Sequence, residues 1–189
     1  GLAEAVSYLE ELELSEGETL LVFGAEGAGV LCCLAAQALG ATAILVDTSS
    51  ARLAAAERAG VHRTINPFRS AVTEELDWID GRGVVDAIID TQDSAGPLPG
   101  ALAVSGPGTR IGFVRPHEGD LPVATVVESG LRIFGLGTRL PRLSDALELD
   151  VDLSGVVTDQ VPLAVVPDMI KALASSRKPV IKVMVLVEE

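Results

Sequence analysis

Apolar and polar positions alternate along this chain in blocks that read as short strands and helices. Leu2, Val6 and Leu9 fall on one stripe with glutamates opposite, which predicts an amphipathic helix over residues 2–12. Thr19 to Phe23 is a continuous apolar run, the pattern of a buried strand. Val30 to Leu39 is apolar on nearly every side and reads as a buried helix closed by Gly40. Ala43 to Val46 is a second strand ending on Asp47, and Ser50 is the expected N-cap of a helix over 51–59 that Gly60 stops. Thr64 to Asn66 reads as a third strand before Pro67, followed by a polar helix around 69–78. Val84 to Asp90 is a fourth strand, and residues 97–104 form a short helix entered through Pro97 and Pro99. Arg110 to Val114 follows a Gly106-Pro-Gly108 turn as the fifth strand, and an irregular stretch over 115–130 leads to a sixth at Leu131 to Phe134. This alternation implies an α/β fold with a doubly wound parallel sheet of about six strands.

The tail differs in character. Residues 144–149 and 166–174 read as helices, and Val180 to Val187 is a strongly β-branched strand. The expected division is therefore a nucleotide-binding unit over 1–140 and a tail over 141–189.

The chemistry concentrates where the first strand turns into the buried helix. Gly24, Gly27 and Gly29 form a glycine turn, and the helix N-terminus beyond it offers free N–H groups and a positive dipole end. Asp47 ends the second strand about 20 residues on, where a dinucleotide fold holds a ribose hydroxyl. Glu26 stands where that fingerprint has its second glycine.

Composition narrows the partners. At 189 residues the chain can bury a substantial core, and its net charge of −13 disfavours nucleic acid and anionic membrane. No apolar run approaches the ~20 residues of a membrane span. Cys32 and Cys33 are adjacent on the buried helix and read as small core residues of a reducing compartment, so the cytoplasm is the expected location. His62 and His117, the only two histidines, lack a flanking ligand pattern and make no metal site.

Several stretches together resemble one family. They are Glu16-Gly-Glu-Thr-Leu-Leu-Val-Phe-Gly24, Leu39-Gly-Ala41 and Val46-Asp-Thr-Ser-Ser-Ala-Arg-Leu53. Further on come Ala59-Gly-Val-His-Arg-Thr-Ile-Asn66, Gly81-Arg-Gly-Val-Val-Asp-Ala-Ile-Ile-Asp-Thr91 and Gly108-Thr-Arg-Ile-Gly-Phe-Val114. Arg177-Lys-Pro-Val-Ile-Lys-Val183 resembles the strand by which such chains return to their catalytic domain. In this order they resemble the cofactor-binding half of the medium-chain dehydrogenase/reductase family, the zinc alcohol dehydrogenase and quinone reductase relatives, with a Rossmann-like fold.

The resemblance implies roles for particular residues. Gly24 and Gly29 shape the turn, and the N–H groups of Gly27 and Ala28 meet the pyrophosphate. Asp47 takes the adenosine ribose hydroxyls and favours NAD over NADP, because a carboxylate repels a 2′-phosphate. Arg52 stands beside that ribose, Thr91 and Val114 line the nicotinamide site, and Lys182 lies near the pyrophosphate. The family pairs two such domains through the sixth strand, so a homodimer through Leu131 to Phe134 is expected. The family's zinc ligands and most of its proton relay precede this region, so the isolated chain is expected to hold no zinc and to be inactive alone.

Glu26, Asp93 and Arg115 replace residues that the family usually keeps as glycine, all at the carboxyl ends of strands. Two functions from different classes follow. One is the NAD-binding domain of a medium-chain oxidoreductase working with a separate or removed catalytic domain. The other is a degenerate module that has lost the cofactor and serves as a structural or interaction domain.

Overall fold

A computed structural model of the chain describes residues 1–93, 96–116, 120–137, 143–174 and 179–187. The elements run α1 (Leu2–Glu11), β1 (Thr19–Phe23), α2 (Gly27–Ala38), β2 (Thr42–Val46), α3 (Ser50–Arg58), β3 (Thr64–Ile65), α4 (Val72–Asp80) and β4 (Val85–Asp90). They continue with α5 (Leu98–Ala103), β5 (Ser105–Phe113), α6 (Val123–Glu128), β6 (Arg132–Gly135), α7 (Leu143–Glu148), β7 (Val157–Pro162), α8 (Val166–Ala174) and β8 (Lys182–Leu186). Six parallel strands form one sheet in the order β3-β2-β1-β4-β5-β6, the doubly wound Rossmann arrangement.

Side chains alternate across this sheet, so each central strand feeds two cores. Leu20, Val22, Ala43, Leu45, Ala87 and Ile89 pack on the face covered by α1, α2 and α3. Leu21, Phe23, Ile44, Val46, Ile88 and Ile111 pack on the other, with Leu76 of α4 and Ala101 of α5. Burial on both faces is why β1 is apolar at nearly every position. The strand order reverses between β1 and β4, and ligands of open α/β sheets bind at such a crevice, outside the carboxyl ends of the strands.

Several boundaries differ from the sequence expectation for identifiable reasons. Helix α2 starts at Gly27, not Val30, because its first turn consists of the glycine turn itself. The N-cap of α3 is Ser49, whose Oγ accepts from the Arg52 N–H at 3.3 Å, while the Ser50 hydroxyl accepts from Asn66 Nδ2 at 2.9 Å. Helix α4 begins only at Val72 because Asn66 first closes a turn. Its Oδ1 accepts from the Phe68 N–H at 3.0 Å, and its carbonyl accepts from the Arg69 N–H at 2.9 Å. The segment Gly106-Pro107-Gly108 lies inside β5 as an irregularity, where two steps along β4 (Val85 to Ala87) match five along β5 (Ser105 to Arg110). Thr109 holds it, its hydroxyl donating to the Val85 carbonyl at 2.7 Å. The stretch 115–130 contains the short helix α6.

The tail strand β8 pairs in parallel with β7, which its mixed polarity (Thr158, Asp159, Gln160) concealed in the sequence. The expected boundary at 140/141, together with His117, Arg177 and Lys178, lies outside the described residues.

At the amino end of the sheet, the nearly buried Arg110 joins β5 to the end of α1. Its Nη1 donates to the carbonyls of Leu12 at 3.0 Å and Glu13 at 2.7 Å, and its Nη2 pairs with Glu18 Oε1 at 2.7 Å. Glu13 itself adopts a left-handed φ of 55°, a cost to a non-glycine residue that these bonds offset. Replacing Arg110 leaves those carbonyls without their donor and removes the ion pair at Glu18 Oε1. Arg110→Ala is expected to lower unfolding free energy by about 3 kcal/mol, and Arg110→Lys to recover less than half of that, by urea denaturation.

Candidate functional site

The glycine turn is dictated by close approaches rather than by flexibility alone. Gly24 has φ +103°, and a Cβ there would stand 2.5 Å from the Thr91 hydroxyl oxygen. A Cβ on Gly29 would overlap the Gly24 carbonyl oxygen, so α2 can pack on β1 only if position 29 is glycine. Position 26 is different. Glu26 has φ −94° and ψ 179°, ordinary extended backbone, so the turn itself accepts a side chain here.

The first turn of α2 remains open to an anion. Its first intrahelical bond runs from the Val30 N–H to the Glu26 carbonyl at 3.0 Å, so the N–H groups of Gly27, Ala28 and Gly29 precede the ladder. Glu26 occupies the N-cap but makes no capping bond with its side chain, and the first turn carries no acid. Free donors, the dipole and the absence of a competing carboxylate on the helix suit a phosphate.

Asp47 closes the site from β2. Its buried carboxylate accepts from the Ala25 N–H at 2.8 Å and the Ser49 N–H at 2.7 Å. Arg52 adds a forked contact, Nη2 to Oδ1 at 2.9 Å and Nε at 3.2 and 3.1 Å to the two oxygens. The guanidinium also faces Glu26, with Nη1 3.9 Å from Oε1. The Glu26 carboxylate therefore leans toward Arg52 from the rim of the cleft, its side chain 62% exposed.

The tail completes the cleft. Glu26, Gly27, Ser49, Arg52, Ile181 and Lys182 line a groove of about 680 Å³. Ile181 is buried in the core beside α2, and a Cβ on Gly27 would stand 3.0 Å from its carbonyl oxygen. That contact carries Lys182 to the start of α2. The sequence assigned Lys182 only by resemblance; the docking of Ile181 on Gly27 had no signal in it.

Of the expected site residues, Gly24, Gly27, Ala28, Gly29, Asp47, Arg52 and Lys182 thus gather around the N-terminus of α2. Thr91 stands at the end of β4, its hydroxyl donating to the Phe23 carbonyl at 2.8 Å in support of the turn. Val114 lies one strand further, just past β5, with its N–H donating to the Asp90 carbonyl at 2.9 Å and its side chain half-buried. Asp93 and Arg115 are exposed at the same edge. Arg115 lies near Tyr8, whose phenol is raised above its usual range, chiefly by burial and next by Glu4, with Arg115 opposing. Among the described residues, no three His, Cys, Asp or Glu side chains come together to hold a metal ion.

A six-stranded doubly wound sheet with a glycine turn, an open helix N-terminus and an acid at the end of β2 is the arrangement of a Rossmann-type dinucleotide fold. The chain belongs to the zinc-binding dehydrogenase family, matching it over residues 27–151, within the medium-chain dehydrogenases/reductases. It is 28% identical over 181 residues to a sorbitol dehydrogenase of Bacillus subtilis, covering 92% of this chain and 51% of that protein. An oxidoreductase/dehydrogenase of Escherichia coli superposes with a TM-score of 0.88 at 19% identity, over 100% of this chain and 56% of the other. An alcohol dehydrogenase of Escherichia coli CFT073, solved with NADH, superposes with a TM-score of 0.81 at 20% identity, over 97% and 56%. The chain spans about half the length of the curated relatives it matches across its length.

Two glycine substitutions separate the turn from the tail. Gly29→Ala forces α2 off β1 and is expected to cost about 3 kcal/mol of stability. Gly27→Ala leaves the sheet intact but pushes on the Ile181 carbonyl, so hydrogen exchange should quicken in residues 179–187 while β1 and β2 stay protected.

Proposed function

We propose that this chain is the cofactor-holding part of a medium-chain oxidoreductase and that it binds NAD in preference to NADP. The observation that carries this reading is the open first turn of α2 placed beside Asp47 at the point where the sheet reverses its order. The N–H groups of Gly27 and Ala28 hold the pyrophosphate, with Lys182 contributing positive charge from the tail. Asp47 accepts the adenosine ribose hydroxyls once Arg52 turns aside, and its charge disfavours a 2′-phosphate. The nicotinamide end extends toward Thr91 and Val114. Bound there, the cofactor supplies hydride chemistry at C4 of the nicotinamide, between it and a substrate carbonyl or alkene carbon.

The protein's share in that chemistry is positioning. The groups that grip the substrate and move its proton belong, in this reading, to a separate part of the enzyme, consistent with relatives about twice as long. Residues 1–140 form the dinucleotide unit and 141–189 the return toward that part. We place the protein in the cytoplasm, supported by its free buried cysteines. Among the described residues, no helix is long and apolar enough to cross a membrane.

One observation favours the alternative of a domain without cofactor. The Asp47 carboxylate is already engaged by two N–H groups and a guanidinium. The discriminating experiment is titration with NADH, followed by fluorescence, beside the melting temperature at rising NAD. Binding with a rise in melting temperature, and no turnover of alcohols, aldehydes or quinones by this chain alone, is expected. No response by either readout would leave the structural module as the better reading.

The same reading includes a homodimer. Among the described residues, strand β6 pairs only with β5 in the sheet, and Val123 and Val127 of α6 and Leu143 and Leu147 of α7 are exposed apolar residues. Pairing of β6 with its copy would extend the sheet and cover its open edge. Light scattering at high micromolar concentration should show a dimer that Ile133→Lys converts to monomer. A monomer in the unmodified protein would refute the edge pairing.

A further inference from the structure

We propose that Glu26 is a specificity-determining residue that makes the adenosine-ribose corner reject a 2′-phosphate, acting through Arg52; the inference rests on the dinucleotide reading above. Glu26 is not needed for the turn, since its backbone is ordinary, and its side chain makes no capping bond. The one charged group its carboxylate approaches is Arg52, at 3.9 Å, among the described residues. Arg52 is in turn the cation best placed to receive an anion at the end of β2, and a guanidinium fork is the group that recognises a phosphate monoester.

That fork has no unopposed edge. Nε and Nη2 lie on Asp47, and Nη1 faces Glu26. The Glu26–Arg52–Asp47 trio itself sets two carboxylates against one guanidinium, a formal charge of −1. A 2′-hydroxyl is neutral and can donate to either carboxylate, so it suits this arrangement. A 2′-phosphate brings nearly two negative charges and meets a guanidinium already held by both acids. Asp47 is buried and ties the turn together, so it cannot be spared without loosening the fold. Glu26 is exposed and free of that duty, which makes it the residue that sets selectivity at little structural cost.

The test measures dissociation constants for NADH and NADPH by fluorescence titration at low salt. The proteins are the unmodified chain, Glu26→Gln, Arg52→Met and the double variant. Glu26→Gln keeps the size and removes the charge. It should tighten NADPH by about tenfold and NADH by less than about threefold, with the melting temperature unchanged. In the Arg52→Met background the same substitution should move the NADPH-to-NADH ratio by less than about twofold. Equal tightening of both cofactors would show that Glu26 opposes the pyrophosphate in general and would overturn the proposal. So would an unchanged ratio, or a shift that persists without Arg52. If NADH binds the unmodified chain, these outcomes leave the dinucleotide reading standing. If neither cofactor binds any of the four proteins, both the reading and the proposal fail.

Discussion

The buried carboxylate of Asp47 is the interaction around which the carboxyl edge of β1 and β2 is assembled. It accepts from the Ala25 N–H in the glycine turn, from the Ser49 N–H at the entry to α3, and from the guanidinium of Arg52. Two backbone segments, the glycine turn and the entry to α3, and one guanidinium are thus fixed to a single side chain. Burying a carboxylate without partners costs several kcal/mol, and these donors offset that penalty. The arrangement fixes the turn after β1 against the end of β2. That in turn aims the first N–H groups of α2 into the groove.

The glycines matter for a complementary reason. Gly29 lets the helix approach the Gly24 carbonyl, and Gly24 lets the turn approach Thr91. These are steric permissions, whereas Asp47 supplies the attraction. Position 26 falls outside both sets, because its φ and ψ suit any residue. A family fingerprint can therefore lose its middle glycine here without losing the turn. What changes is the charge at the rim of the groove, where Glu26 and Asp47 share Arg52.

The tail behaves differently from the sheet. Its two strands pair with each other, and Ile181 before β8 and Val156 before β7 are both buried in the core that contains α2. Met184, Val185, Leu186 and Val187 of the β8 region remain exposed, as do Leu163 and Ile170 beside it. A two-stranded ribbon is marginal alone, so the tail depends on what it packs against. Its contact with Gly27 links that packing directly to the N-terminus of α2.

The central strands were legible in the sequence because burial on both faces demands apolar runs, as in Leu20 to Phe23 and Ala87 to Ile89. The glycine turn and Asp47 were legible because their residue types answer a local backbone requirement. Strand β7 was not, since a half-exposed strand with Thr158, Asp159 and Gln160 carries no distinctive run. Nor was the cap at Ser49, where two adjacent serines compete and Asn66, distant in sequence, engages Ser50. Local pattern determined the order of elements and the position of the turn, because propensity and periodicity act over a few residues. Only the tertiary structure decided that Arg52 spans Asp47 and Glu26 and that Ile181 seats Lys182 beside Gly27. Those contacts join residues brought together by the winding of the sheet, and no local pattern encodes them.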